Sequence, residues 1–331
     1  MASQPSMDPG AGTASSSLDR FAADKLDALE RQALKRTLVI TNRAPASRAE
    51  RIDAQGRHQL VSFCCNDYLN LSQHPAVIEA SQRAARDYGT GAGGSRLITG
   101  NHDLFAALED RLARFKKTDA AVVFGSGYLA NLGIIPTLAG PDDLVLVDEL
   151  AHACIFGGAQ LTRGTVRIFR HNDDAQVRRM LQDERSRVRH ALIVTDGVFS
   201  MDGDMAPLAR LEVLAREYDA WLMTDDAHGL GVLGGGRGSS FTKNATSMTE
   251  CGDKYQVPLQ MGTLSKAVGS YGGYLCASRP VVDLVRTRAR SFVYSTGLPP
   301  AVVAASDAAL GIIESDPDLC ARPINKATYF L

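Results

Sequence analysis

Four short stretches of this 331-residue chain set reactive side chains beside apolar or small residues. Gly125-Ser-Gly-Tyr128 follows an apolar run and precedes a helical one. Backbone N–H groups at a helix start favour an anion such as a phosphate, although an ordinary strand-to-helix turn has the same pattern. His152, in Glu149-Leu-Ala-His-Ala153, is able to stack on a flat ring or to sit satisfied in a core. Asp225-Asp-Ala-His228 closes an apolar run. A carboxylate buried there needs a cationic partner, which a pyridinium nitrogen supplies; a strand-end cap and a metal ligand are the other readings. No further ligand cluster accompanies it, so no metal is expected. Thr263-Leu-Ser-Lys266 lies between Gly262 and Gly269, small neighbours that let a flat molecule approach. A lysine that forms a Schiff base must lose its proton, which takes partial burial or a nearby cation; most lysines are solvated instead. Together, a phosphate cradle, a stacking histidine, a strand-end acid and a loop lysine match what pyridoxal 5′-phosphate (PLP) requires.

These groups act as one site only if the chain folds them together. The apolar runs Ala120–Phe124, Leu144–Val147, Val166–Phe169, Ala191–Val194, Ala220–Met223, Leu259–Met261 and Gly273–Cys276 read as strands. Helical stretches fall at Ala76–Tyr88, Asp103–Lys116, Gly125–Leu132, Asp174–Arg185, Pro207–Tyr218, Val281–Arg290 and Ala301–Glu314. Strands alternating with helices predict βαβ units and a mostly parallel sheet. Ligand sites then lie at the carboxyl ends of the strands. Polar clusters stand there at Gly125–Tyr128, Asp148–His152, Asp196–Ser200, Asp225–His228 and Thr263–Lys266, which predicts one shared pocket. Upstream, Leu18 to about Leu38 has helical spacing, and Ile52–Phe63 reads as a hairpin about Gln55-Gly56.

Composition narrows the class. Net charge is -1 and 45% of residues are hydrophobic, with no basic excess for nucleic acid and no apolar run long enough to span a bilayer. None of the six cysteines forms a C-x-x-C pair, and no secretory signal is visible, so the expected setting is cytoplasmic with reduced thiols. Gly229-Leu-Gly-Val-Leu-Gly234 matches a dinucleotide fingerprint only in its letters, because Gly235-Gly-Arg-Gly follows where a helix must begin.

The chain resembles the α-oxoamine synthases, fold-type I PLP-dependent enzymes. The resemblance rests on Phe63-Cys-Cys-Asn-Asp-Tyr-Leu69, Gly93-Gly-Ser-Arg96, Ser126-Gly-Tyr-Leu-Ala-Asn131, Gly197-Val-Phe-Ser-Met-Asp-Gly-Asp204, Asp225-Asp-Ala-His-Gly229, Gly236-Arg-Gly238 and Tyr294-Ser-Thr296, and runs from about residue 25 to 315. It implies an α/β fold-type I PLP-dependent transferase with a mostly parallel sheet sandwiched by helices. The Asp202–Leu208 and Asp225–Gly229 runs favour a decarboxylative condensation of L-alanine with pimeloyl-CoA or a pimeloyl-carrier protein, in biotin biosynthesis. Glycine C-acetyltransferase and other α-oxoamine synthases share much of the pattern and remain the alternative.

Residue by residue, the resemblance makes Lys266 the Schiff-base lysine that later moves the substrate proton. It pairs Asp225 with the pyridine nitrogen and gives His228 and Ser200 the ring hydroxyl. It stacks His152 on the ring, with a catalytic and substrate-binding share, and leaves the phosphate to Gly127, Tyr128 and Thr263. Arg36, assigned to the first helix, is implied to meet the acyl carboxylate, and Asn66 to lie near the substrate. A homodimer is implied, with Thr296 near the partner's cofactor.

The expected organisation is a flexible tail (1–17), an N-terminal helix and hairpin segment (18–62), a large PLP-binding domain (63–296) and the start of a C-terminal domain (297–331). Family members continue for several tens of residues, with an arginine that grips the amino-acid carboxylate. This chain ends at Leu331, and Cys320–Leu331 departs from the pattern. The expectation is therefore a truncated small domain, a retained cofactor site and impaired turnover.

Overall fold

The computed structural model describes residues 16–44 and 48–330, in two compact units. The expected tail lies outside the described residues except for Ser16 and Ser17. Ser16 caps the first helix, α1 (Ser17–Arg31): its Oγ accepts from Asp19 N, and the Asp19 carboxylate accepts in return from Ser16 N. The rest of this unit is an antiparallel sheet of β1 (Ile40–Arg43), β2 (Arg48–Asp53) and β3 (Gly56–Val61), with β2 in the middle. The β2–β3 hairpin turns at residues 54–55, beside Gly56. The helix stops seven residues short of Leu38. Ala33 takes a left-handed φ of 55° and Leu34 N closes back on Leu29 O, so Arg36 is not helical, contrary to the sequence expectation.

The second unit begins at Phe63. It runs through α2 (Pro75–Tyr88), α3 (Asp103–Phe115), β4 (Ala120–Phe124), α4 (Gly127–Leu138), β5 (Leu144–Asp148) and α5 (Ala153–Leu161). It continues through β6 (Thr165–Phe169), α6 (Asp174–Glu184), β7 (Ala191–Asp196), α7 (Leu208–Glu217), β8 (Trp221–Asp225), β9 (Leu259–Thr263) and β10 (Gly273–Ala277). It ends in α8 (Arg279–Arg288), α9 (Arg290–Val293), α10 (Pro300–Ser315) and α11 (Pro317–Phe330). The seven strands line up as β4-β10-β9-β8-β7-β5-β6, and β10 runs opposite to the other six.

Period-two alternation sends side chains to both faces. Val122 and Phe124 pack with Ile134, Ile155 and Val282 from α4, α5 and α8. Ala121 and Val123 pack with Leu108, Val303 and Leu310 from α3 and α10. Leu146 and Ile193 pack with Leu181 and Leu211 from α6 and α7. Helices thus cover both faces, which is why the strands read as unbroken apolar runs. Among the described residues no helix is long and apolar enough to cross a membrane.

One glycine fixes how the turn after β4 is held. A Cβ on Gly273, first in β10, would lie 2.5 Å from Ser126 O and 2.6 Å from Gly127 N. Gly273→Ala is expected to push that turn away, lower the unfolding free energy by about 2 kcal/mol and weaken PLP retention. Urea titration and dialysis of the PLP-loaded protein read both. An unchanged urea midpoint would show that the turn gives way freely.

Candidate active site

The turn after β4 and the carboxyl ends of β5, β7, β8 and β9 open on one cavity of about 230 Å³. Ser126, Gly127 and Tyr128 line it from the start of α4, and His152 and Cys154 from the start of α5. Asp196 and Ser200 come from the end of β7, Asp225, Ala227 and His228 from the end of β8, and Thr263, Ser265 and Lys266 from the end of β9. All five polar clusters expected from the sequence contribute. Of the expected site residues, the fold brings together Gly127, Tyr128, His152, Ser200, Asp225, His228, Thr263 and Lys266. Asn66 does not line the cavity but accepts a hydrogen bond from Tyr68. Arg36 is exposed in the first unit, and Thr296 is exposed with a backbone bridge to Ser95.

The consecutive acids part company because β8 alternates. Asp225 enters the cavity. Asp226 turns to the other face, where its Oδ2 pairs with Lys116 Nζ at 3.2 Å, both side chains fully buried. Asp226 also accepts from Ser239 N, and a Cβ on Gly229 would lie 2.1 Å from its Oδ1. The glycines after Asp226 thus form a tight loop around a buried carboxylate. Only a single 3-10 turn, Ser239–Phe241, follows them, and no α-helix starts there, so the dinucleotide fingerprint does not apply. Lys266 stands on the loop between β9 and β10. Thr263 Oγ1 lies 2.8 Å from Gly272 O across that loop, and Gly269, at φ 71°, makes room for Ser72 N.

The parallel register sets Asp196 beside Asp225. Burial raises the Asp225 carboxyl, against the pull of the Asn131 amide and the Lys266 charge. Asn131 Nδ2 donates to Asp225 Oδ2 at 2.7 Å, and Ala227 N donates to Oδ1 at 3.1 Å. Burial, then the charge of Asp225, pushes Asp196 up to about 8. Asp196 Oδ2 accepts from His152 N at 2.9 Å, which fixes the start of α5. Burial lowers the Lys266 amine against the attraction of Asp225 and Asp196. Burial, then the charges of Lys266 and His152, holds His228 down at about 4. Lys266 Nζ and His228 Nε2 are 2.6 Å apart. Farther out, His171 spans Asp148 at 3.1 Å and Asp204 at 2.7 Å, tying the loop that carries His152 to the loop that follows Ser200. Burial pulls that imidazole down, and its bonds to the two carboxylates bring it above its ordinary value.

Sequence reasoning does not single out Tyr68, Asn131, Cys154 or Asp196 individually. Asn131 was within reach, since four residues after Gly127 puts it on the same helix face. Tyr68 carries no such signal.

The donor set fits PLP. The start of α4 offers N–H groups, and a Cβ on Gly127 would press on Met261 and Thr263 at 3.3 Å, so bare backbone faces the cavity. Asp225 is a buried carboxyl whose ionised form calls for a cation, and Lys266 is a partly buried amine with a lowered proton affinity. The pattern of the aminotransferase class I and II family matches residues 58–330. The 8-amino-7-oxononanoate synthase of Beijerinckia indica is 57% identical over 314 residues, covering 95% of this chain and 78% of that protein. The synthase of Granulibacter bethesdensis is 56% identical over 313 residues, with the same shares. In three dimensions the chain is similar to a serine palmitoyltransferase variant from S. paucimobilis with a bound PLP–myriocin aldimine. That match has a TM-score of 0.80 and 28% identity, over 90% of this chain and 73% of that one. The 8-amino-7-oxononanoate synthase from Francisella tularensis matches with a TM-score of 0.64 and 28% identity, over 77% and 70%. The chain therefore belongs to the aminotransferase class I and II family, among its PLP-dependent, 8-amino-7-oxononanoate synthase-like acyltransferases.

Proposed function

We propose that the cavity catalyses the condensation of L-alanine with a pimeloyl thioester, carried by coenzyme A or by a carrier protein. The products are 8-amino-7-oxononanoate, carbon dioxide and the free thiol. The observation that carries this reading is the convergence of a bare helix start, a buried acid and a partly buried amine in one cavity. When bound, PLP supplies a protonated ring that takes up the electron pair left at the amino acid's α-carbon. Lys266 would hold it covalently until the amine of the amino acid displaces it, and the freed Nζ, with its affinity for protons lowered by burial, would then take the α-proton and return it. Asp225 would keep the ring nitrogen protonated, and His152 would cover the ring. Ser200 and His228 would hold the ring hydroxyl, and Gly127, Tyr128 and Thr263 the phosphate. Asn66 lies one hydrogen bond from Tyr68, near enough in the network to belong to the amino-acid side.

The same reading makes the protein a homodimer in which Thr296 approaches the partner's cofactor. Its support is the exposed apolar side chains around the Ser95–Thr296 bridge, Leu97, Ile98 and Tyr294. The test is an assay of the PLP-loaded chain with pimeloyl-CoA and either amino acid. The expected result is release of carbon dioxide and thiol in equal amounts with L-alanine. Faster release with glycine would overturn the alanine assignment.

A further inference from the structure

Tyr68 takes no part in the chemistry above, yet it closes a chain of hydrogen bonds that begins at Lys266. Its hydroxyl lies 2.6 Å from His228 Nδ1, and His228 Nε2 lies 2.6 Å from Lys266 Nζ. The other partner of the hydroxyl is Asn66 Oδ1 at 3.2 Å, an amide oxygen that only accepts. The Tyr68 O–H therefore points to Asn66 and offers its lone pairs to His228. Nδ1 then carries the imidazole proton, and Nε2 is left as an acceptor. A protonated Lys266 amine is the donor that completes the chain. The opposite polarity sets the Tyr68 lone pairs against Asn66 Oδ1 and a proton on Nε2 against a protonated Lys266. Besides Lys266, the charged and titratable groups that His228 feels are His152 and Asp226. Both Tyr68 and His228 are partly shielded from water, with ring centroids 6.0 Å apart.

We propose that Tyr68 is a positioning residue: it fixes the His228 proton on Nδ1, so that Nε2 stays an acceptor and holds the Lys266 amine in place to capture the cofactor. The importance of that amine rests on the reading under Proposed function; the tautomer does not. Histidine ring nitrogens report protonation directly in 15N NMR of the apoprotein, with the His228 signals assigned by their loss in His228→Gln. The expected result is a protonated Nδ1 and a bare Nε2 in the wild type. In Tyr68→Phe that preference is lost, and covalent capture of added PLP, followed by visible absorbance, slows roughly tenfold. Asn66→Asp, which keeps an acceptor for the Tyr68 hydroxyl, is expected to keep the Nδ1–H form. A proton on Nε2 in the wild type overturns the proposal. So does a Tyr68→Phe protein, folded by its melting curve, with an unchanged tautomer and capture rate. A wild-type protein that shows the Nδ1–H form but never captures PLP refutes the cofactor reading instead and supports the hold of Tyr68 on His228.

Discussion

Lys266→Ala is expected to abolish covalent retention of PLP and to lower turnover of L-alanine with pimeloyl-CoA by about 10⁴-fold or more. The wild type, loaded with PLP and passed through a desalting column, should keep a visible absorption band. Borohydride should then leave the label on the peptide that contains Lys266. In the variant both signals disappear, because no other lysine lines the cavity. A labelled peptide from elsewhere in the chain would sink the assignment.

The same variant carries a second, independent signature. Burial lowers the pKa of Lys266 in the folded apoprotein relative to the unfolded chain. The unfolded state then binds more protons between the two values, so stability rises with pH there. The contribution of Lys266 is fully present above the unfolded value and is lost as pH falls through the folded one. The melting temperature of Lys266→Ala, compared with the wild type, is therefore expected to gain as pH drops. A constant difference across pH would mean that the amine is solvated.

What could be read in advance depended on how locally each feature is determined. β4 was legible from Ala120–Phe124 because it is buried on both faces and so reads as unbroken apolar sequence. The five strand-end clusters were legible because a parallel sheet places every carboxyl end on one edge. α5 was not, because Gly157-Gly158 mimic a loop. The structure requires the second of them, since a Cβ on Gly158 would lie 2.6 Å from Asn131 O in α4. The end of α1 is not legible, because an alanine rather than a glycine takes the left-handed conformation that stops it. The Tyr68–His228 bond joins residues 160 apart in sequence, a distance no local pattern spans. The division of labour between Asp225 and Asp226 sits between these cases. Strand alternation says that they face opposite ways, and only the fold says which face holds the cavity and which holds Lys116.

Asp225→Asn separates holding the cofactor from using it. Asp225 attracts the Lys266 ammonium, so losing the charge lowers the proton affinity of that amine further. Covalent capture of PLP is therefore expected to survive, with the visible band retained. Turnover is expected to fall by about 10³-fold, since no ionised group then opposes the ring nitrogen. The substitution should fit sterically. Asn131 now donates to Asp225 Oδ2, and its own Oδ1 is buried without a partner, so a turned Asn131 amide presents an acceptor to the introduced NH₂. The apoprotein should also gain stability, by roughly 2 kcal/mol at high pH, because a buried carboxylate beside Asp196 is removed. The sign of the trend is opposite to that of Lys266. Burial raises the folded pKa of Asp225, so its favourable contribution is complete below the unfolded value and is lost as pH rises through the folded one. The advantage of Asp225→Asn should thus widen with rising pH, while that of Lys266→Ala widens with falling pH. Urea titrations of the two apoproteins across a pH series read both slopes. Parallel slopes would contradict the burial of the two groups, and full turnover in Asp225→Asn would contradict the pairing of this acid with a cationic ring.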